Sequence, residues 1–248
     1  MGQGACESKI SMIVRNLTNF DILKGTKRKS VALIPVGSME QHGPHLPVST
    51  DSDIVSHIAR KVSDEAGFLL LPTIEYGVSF EHDPFFNLSI TASTLQKTIV
   101  DLCASLYKNK ITTIIILNGH HGNHTALKQI PKIFAKIHAT DVRILVYSYW
   151  HFMKRQFDHA GFVETSIMLA ISKRVQMSKA EKGFAPDGVS DKKLARLGRL
   201  ANKSFPSVTK NGVWGDPRNA TARDGKRILD EIITAIVEES QTCLTGKS

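Results

Sequence analysis

Three short blocks hold most of the chain's capacity for chemistry. The first runs Gly37-Ser38-Met39-Glu40-Gln41-His42-Gly43-Pro44-His45-Leu46-Pro47 and closes on Ser49-Thr50-Asp51. The second is Asn118-Gly119-His120-His121-Gly122-Asn123-His124, and the third is His159-Ala160-Gly161-Phe162-Val163-Glu164-Thr165-Ser166. Five of the ten histidines fall in the first two blocks. Neutral imidazoles with carboxylates are a donor set for zinc, manganese or iron. Glycine and proline beside them let the backbone pass close to an ion. Plainer readings stand beside this one. A loop histidine is commonly just solvated, and Asp51 suits a helix N-cap. Gly119 and Gly122 ahead of a helix suggest a phosphate cradle, but the Lys-Ser/Thr ending of a P-loop is missing. The three blocks taken together point to a metal centre.

The elements that must position these blocks read from hydrophobic periodicity. Ser30–Val36 is a buried strand. Asp51–Ala66 is a helix with Ile54, Ile58 and Val62 on one face and Gly67 as its stop. Phe68–Leu71 is a second strand. Ser93 and Gln96 form a capping box opening a helix with Leu95, Ile99, Leu102 and Leu106 in register. Ile111–Leu117 is a β-branched run suited to a parallel sheet covered on both faces. A helix after Asn123 must turn or kink at Pro131. Val142–Tyr147 is a fourth strand and Glu164–Lys173 a helix. Lys179–Asn211 is polar and loop-rich, and Thr221–Gln241 is a closing helix. Alternating strands and helices predict a mostly parallel α/β sheet with right-handed crossovers. Ligands of such sheets bind beyond the carboxyl ends of the strands. The loops after Val36, Leu117 and Tyr147 sit there, and the first two of them open the first two blocks.

Composition narrows the class. At 248 residues the chain reads as one domain over residues 1–248, with residues 1–16 an N-terminal extension. Apolar residues make up 42% and charged residues 22%, which excludes disorder and fibrous repeats. Three scattered cysteines exclude a disulfide framework and any CxxC zinc site, and fit a reducing cytoplasm. No run approaches a membrane span, and the first residues lack the pattern of a secretory signal. Gly2 and Cys6 loosely fit a myristoylation motif. The net charge is +9. It allows an anionic substrate or nucleic acid, and Lys192, Lys193, Arg196, Arg199 and Lys203 would share one helical face. No aromatic platform interleaves with them, so nucleic acid is not expected.

The blocks resemble the creatininases (creatinine amidohydrolases) and their relatives. The matching stretches are Pro35–Pro47 with Thr50-Asp51, Asn118-Gly119-His120 with Asn123, and His159-Ala160-Gly161 with Glu164-Thr165-Ser166. Tyr76-Gly77-Val78-Ser79 with His82, and Gly212-Val213 with Gly215-Asp216-Pro217, are similar too. The resemblance runs from about residue 17 to about residue 240. It implies a three-layer α/β/α sandwich, two divalent ions per chain, hydrolysis of a small or unusual amide, and a homo-oligomer, commonly a hexamer. It makes Glu40, His42 and His120 ligands, Asp51 the bridging ligand, and His159 the general acid or base.

Two departures bear on the substrate. Creatininases proper carry a metal-binding Glu where this chain has Gly122, so Glu164 is the candidate ligand for the second ion. They also carry an aromatic lid residue where this chain has Arg155, which favours an anionic substrate. Ser79, His82, His121, Trp150 and Arg155 are the candidate substrate-binding residues. Family reactions include creatinine opening and deformylation of a formylamino-pyrimidine nucleotide, the latter favoured here. Peptide trimming during redox-cofactor maturation is the alternative.

Overall fold

The computed structural model describes residues 12–25, 30–138, 141–185 and 188–245. Gly2 and Cys6, and with them the myristoylation motif, lie outside the described residues. In chain order the helices and strands are α1 (Asn19–Gly25), β1 (Val31–Val36), α2 (Thr50–Ala66), β2 (Leu69–Leu70), α3 (Ala92–Lys108), β3 (Thr113–Asn118), α4 (His124–Lys128), α5 (Ile130–Ile137), β4 (Arg143–Ser148), α6 (Phe162–Ile171), α7 (Asp191–Ala201) and α8 (Ala222–Thr245).

The four strands lie in the order β2-β1-β3-β4 and every pair is parallel. Side chains alternate across the central strands, and each face buries its own cluster. Leu33, Ile115 and Leu117 pack with Ile54 and Ile58 of α2, Ile167 of α6 and Ile232 of α8. Ile34, Val36, Ile114 and Ile116 face the other way, onto Leu95 and Ile99 of α3 and Leu127 and Phe134 of α4 and α5. This is the three-layer α/β/α sandwich. Its register also aligns the strand ends: Val36 pairs with Asn118, and Asn118 with Ser148. The first two blocks therefore leave the sheet side by side.

Pro131 splits the helix after Asn123 into α4 and α5 and sits in the first turn of α5, where its missing N–H costs nothing. The start of α3 differs from the expected capping box. Thr91 is the N-cap and its hydroxyl accepts from the Thr94 amide at 3.1 Å. Ser93 is already helical, and Gln96 Nε2 instead donates to the Ala126 carbonyl at 3.0 Å. The stretch expected to be loop holds α7, whose place over the cavity is described below. No helix among the described residues is long and apolar enough to cross a membrane.

Candidate metal centre

Glu40 and His42 follow β1, and both are fully buried. Asp51 sits in the first turn of α2, equally enclosed, with Ser49 rather than Asp51 at the N-cap. His120 follows β3, and Glu164 lies in the first turn of α6. Asn123 ties the surrounding loops together. Its Oδ1 accepts the Val78 N–H at 2.8 Å, and its Nδ2 donates to the Gly37 carbonyl at 2.9 Å.

These side chains converge on Asp51. One carboxylate oxygen, Oδ1, is 3.1 Å from His42 Nε2, which is 3.6 Å from Glu164 Oε2. The other, Oδ2, is 3.0 Å from His120 Nδ1, which is 3.2 Å from Glu40 Oε2. Backbone carbonyls orient both rings. His42 Nδ1 lies 3.1 Å from the Glu40 carbonyl, and His120 Nε2 lies 2.9 Å from the Val78 carbonyl. A carbonyl only accepts, so those nitrogens carry hydrogen. In the neutral rings, the lone pairs then face the carboxylates, as they do in metal-bound histidines.

Three buried oxygens, Glu40 Oε1 and Oε2 and Asp51 Oδ2, have no hydrogen-bond donor although imidazole nitrogens stand at about hydrogen-bond range. Donors that share one cation at about 2.1 Å sit about 3.0–3.4 Å apart without pointing N–H at O. The residues present thus fit a pair of divalent ions. Ligand atoms of Glu40, His42 and Asp51 lie within 4.8 Å of one another, as do those of His42, His159 and Glu164, and those of Glu40, His82 and His159.

The electrostatics of the protein alone show how strongly negative this pocket is. Burial pulls the His42 imidazole down, but the Asp51 carboxylate, with Glu164 and Glu40 behind it, outweighs that and lifts it to about 10. His120 behaves alike: burial opposes, Glu40 and Asp51 prevail, and it too rises to about 10. Burial would raise Asp51, yet His42 and His120 hold it well below the usual carboxylate range. Burial pushes Glu164 up to about 8 against the pull of His42. Burial, with His42 and His82 nearby, keeps His159 well below the usual histidine range.

A cavity of about 210 Å³ opens onto the cluster. Its lining includes Glu40, Asp51, Glu81, Asp158 and Glu164, and no Lys or Arg is among the described lining residues. Phe157, Phe205 and Trp214 supply aromatic walls, and Gly198, Ala201 and Asn202 bring α7 and its C-terminus over the opening.

The sequence model of the creatininase family, described as creatinine amidohydrolase, matches residues 15–239. The chain belongs to the creatininase family. It is 30% identical to the mycofactocin precursor peptide peptidase of Mycolicibacterium smegmatis, over 84% of this chain and 83% of that one. It is 25% identical to the 2-amino-5-formylamino-6-ribosylaminopyrimidin-4(3H)-one 5'-monophosphate deformylase of Methanothermobacter marburgensis, over 94% and 98% of the two chains. Among solved structures, a creatinine amidohydrolase superposes with a TM-score of 0.80 at 23% identity, covering 93% of this chain and 96% of that one. Solved creatininases of this fold include a manganese form and a Zn–Zn form, each at a TM-score of 0.79.

Against this creatininase fold, the candidate substrate residues divide. His121 lines the cavity, and so does His82, whose Nε2 is 3.1 Å from Glu40 Oε1. Arg155, Ser79 and Trp150 do not. The Arg155 guanidinium stands 5.3 Å over the Phe162 ring, on an exposed loop. Ser79 is buried behind the site, 2.9 Å from the Ser38 hydroxyl. Trp150 packs against Phe157, ring centres 4.9 Å apart, and backs the wall rather than facing the opening. Position along the chain placed Arg155 beside the third block, but its loop turns the side chain outward.

The structure adds residues that motif reading passed over. Gln41 stands between two rings: its Nε2 lies 2.9 Å from His82 Nδ1 and 3.2 Å from the Gly212 carbonyl, and its backbone carbonyl lies 3.2 Å from His159 Nε2. Tyr149 donates its hydroxyl to Glu164 Oε1 at 3.4 Å, and the Ala160 amide donates to Oε2 at 2.7 Å. Asp158 accepts the Val163 N–H at 2.8 Å, capping α6, and burial raises its carboxyl to about 7. Ala160, between His159 and Gly161, has a φ of 51°, a left-handed conformation that non-glycine residues adopt at a cost. Gln41 and Asp158 adjoin residues already singled out, which was the signal available. Tyr149 had none.

Proposed function

We propose that this chain is a metal-dependent amidohydrolase that splits a C–N bond with two divalent ions. The observation that carries the reading is Asp51, whose two carboxylate oxygens each face a separate histidine–glutamate pair. Glu40 and His120 would hold one ion, His42 and Glu164 the other, and Asp51 both. When bound, the ions supply Lewis acidity that polarises a carbonyl and acidifies a water. One histidine per ion with oxygen donors suits manganese, zinc or iron, and the manganese and Zn–Zn creatininases support the first two.

The chain's own residues do the rest. His159 Nε2 lies 3.2 Å from the Gln41 backbone carbonyl, which accepts its hydrogen, so in the neutral ring the Nδ1 lone pair faces Glu40 Oε1 at 3.8 Å, beside the reacting centre. There it hands a proton to the departing nitrogen. Its lowered pKa leaves it neutral at pH 7, able to take a proton from the attacking water first. Tyr149 and the Ala160 amide fix Glu164, and the aromatic walls exclude water around the amide.

For the substrate, the formamide of a formylamino-pyrimidine nucleotide comes first, supported by the Methanothermobacter relative. Peptide trimming is the second reading, favoured by the higher identity to the Mycolicibacterium peptidase. The resemblance supports a homo-oligomer, with a hexamer favoured, acting in the cytoplasm. The test is hydrolysis by metal-loaded protein of creatinine, a formamido-pyrimidine nucleotide and short peptides. Formate release with about two ions per chain is expected. Protein that carries two ions and hydrolyses none of the three overturns the reading.

A further inference from the structure

Gln41 gives two histidines of the cavity opposite polarity. Its side-chain oxygen is committed, because the Gly43 amide donates to Oε1 at 2.9 Å. Nε2 therefore faces the other way, with two hydrogens to place. One goes to the Gly212 carbonyl at 3.2 Å and the other to His82 Nδ1 at 2.9 Å. His82 Nδ1 thus accepts, and the hydrogen of that ring sits on Nε2. His159 also carries its hydrogen on Nε2, but turned toward the Gln41 backbone carbonyl, so its bare Nδ1 faces the centre. His82 Nε2 and His159 Nδ1 both stand beside Glu40 Oε1, at 3.1 Å and 3.8 Å. One is a donor and the other a base.

The His82 hydrogen has no taker in the protein. It makes no hydrogen bond to Glu40 Oε1 despite the 3.1 Å between the heavy atoms, and no other acceptor among the described residues receives it. His82 groups with Glu40 and His159 as a possible ion site. A ring nitrogen that carries hydrogen has no lone pair to give an ion, so the tautomer argues against a ligand role. The side chain is only 3% exposed and lines the cavity. Phe205 and His159 pack against the ring, with centres 4.6 Å and 5.0 Å away, and keep it in place. Buried donors are almost always paired, and one left open at a catalytic cluster marks the place of a ligand's acceptor.

We propose that His82 Nε2–H is a catalytic hydrogen-bond donor to the scissile amide, holding its carbonyl oxygen as charge develops there. The inference rests on the amidohydrolase reading and names a residue to which that reading gives no role. As water adds to the amide carbon, its proton passes to His159 Nδ1 and the C=O electron pair moves onto oxygen. When the C–N bond breaks, that pair re-forms the C=O bond and the nitrogen leaves with the proton from His159. His82 keeps its own hydrogen throughout, aimed at the oxygen whose charge rises and falls.

Zinc-loaded protein is titrated by calorimetry with acetohydroxamate, a carbonyl ligand for paired ions. His82→Phe should keep both ions and bind the hydroxamate about 10-fold or more weakly, as expected for a lost hydrogen bond to a charged oxygen. His82→Gln, whose amide N–H reaches about as far as Nε2, should bind it nearly as well as wild type. Nitrogen spectra of zinc-loaded wild type with isotope-labelled histidine should show His82 with hydrogen on Nε2 and a bare Nδ1, the signal being identified by its loss in the glutamine variant. Acetohydroxamate should move that N–H signal downfield. Hydrogen on Nδ1, or a hydroxamate that leaves the signal in place, overturns the proposal, and the wild-type spectra decide this even if the phenylalanine variant does not fold. So does equal binding by wild type and His82→Phe, equal weakening in both variants, or loss of an ion in His82→Phe. Wild type that takes up no pair of ions would instead strike the amidohydrolase reading.

Discussion

Replacing Gly122 by Ala should loosen the metal centre without touching a ligand. A Cβ at this position would lie 2.1 Å from the Val78 carbonyl oxygen and 2.4 Å from His120 Nε2. Gly122 is not among the glycines with positive φ, so the conflict is steric alone. Real Cβ contacts essentially never fall under 3.0 Å, so the carbonyl must retreat by at least 3.0 − 2.1 = 0.9 Å. Val78 resists, because Asn123 Oδ1 holds its amide at 2.8 Å. The bond that gives way is the one from His120 Nε2–H to that carbonyl, now 2.9 Å. Overpacking costs about 1–3 kcal/mol and the lost hydrogen bond about 1 more, so metal-free protein should lose about 2–4 kcal/mol. His120, no longer held in orientation, should bind metal about 10- to 100-fold more weakly. Chelator-competition titration with Mn²⁺ or Zn²⁺ and a thermal melt of metal-free protein measure the two effects. Wild-type affinity and an unchanged melt would refute the reasoning. Gly122→Glu, which installs the residue creatininases proper carry, should fare worse than Ala rather than better.

Asp51→Ala removes the carboxylate shared by both ligand pairs, so metal analysis should find neither ion and turnover should vanish; full metal content with normal turnover contradicts two ions at Asp51. His159→Gln should keep both ions yet lower the maximal rate by a factor of about 100 or more. Loss of metal in that variant would make His159 a ligand, as its grouping with His42 and Glu164 also permits. Lys110, just past α3, has a φ of 67°. Lys110→Gly should stabilise the fold by about 1 kcal/mol, raising the melting midpoint by about 2–4 °C; a lower midpoint would count against strain there.

The sheet was legible because its strands are continuous apolar runs. Val31–Val36 and Thr113–Asn118 are buried nearly throughout, so no polar face competes with the strand reading. The convergence of Glu40, His42, Asp51, His120, His159 and Glu164 was legible for a different reason. Parallel strands deliver their following loops to one edge, and the register pairing Val36 with Asn118 makes those loops neighbours. What stayed hidden was direction. Residue order places Arg155 near His159 and Ser79 near His82, but a loop's turn decides whether a side chain faces in or out. The capping of α3 failed similarly: Thr91 and Ser93 both precede suitable partners, and only the backbone path selects Thr91.

Helix α7 shows most clearly why composition alone misleads about charge. Its glycine and its crowd of cations weaken the helical pattern, so the segment reads as loop, and its basic residues read as a solvated surface. Folded, the same residues form an exposed face of α7, whose other side, at Gly198 and Ala201, lines a cavity with an acidic interior. A net charge of +9 is then the sum of two unlike regions. The interior carboxylates are arranged to be neutralised by bound cations, and the α7 cations form no ion pair among the described residues. The total charge carries none of that, because it discards where each sign lies.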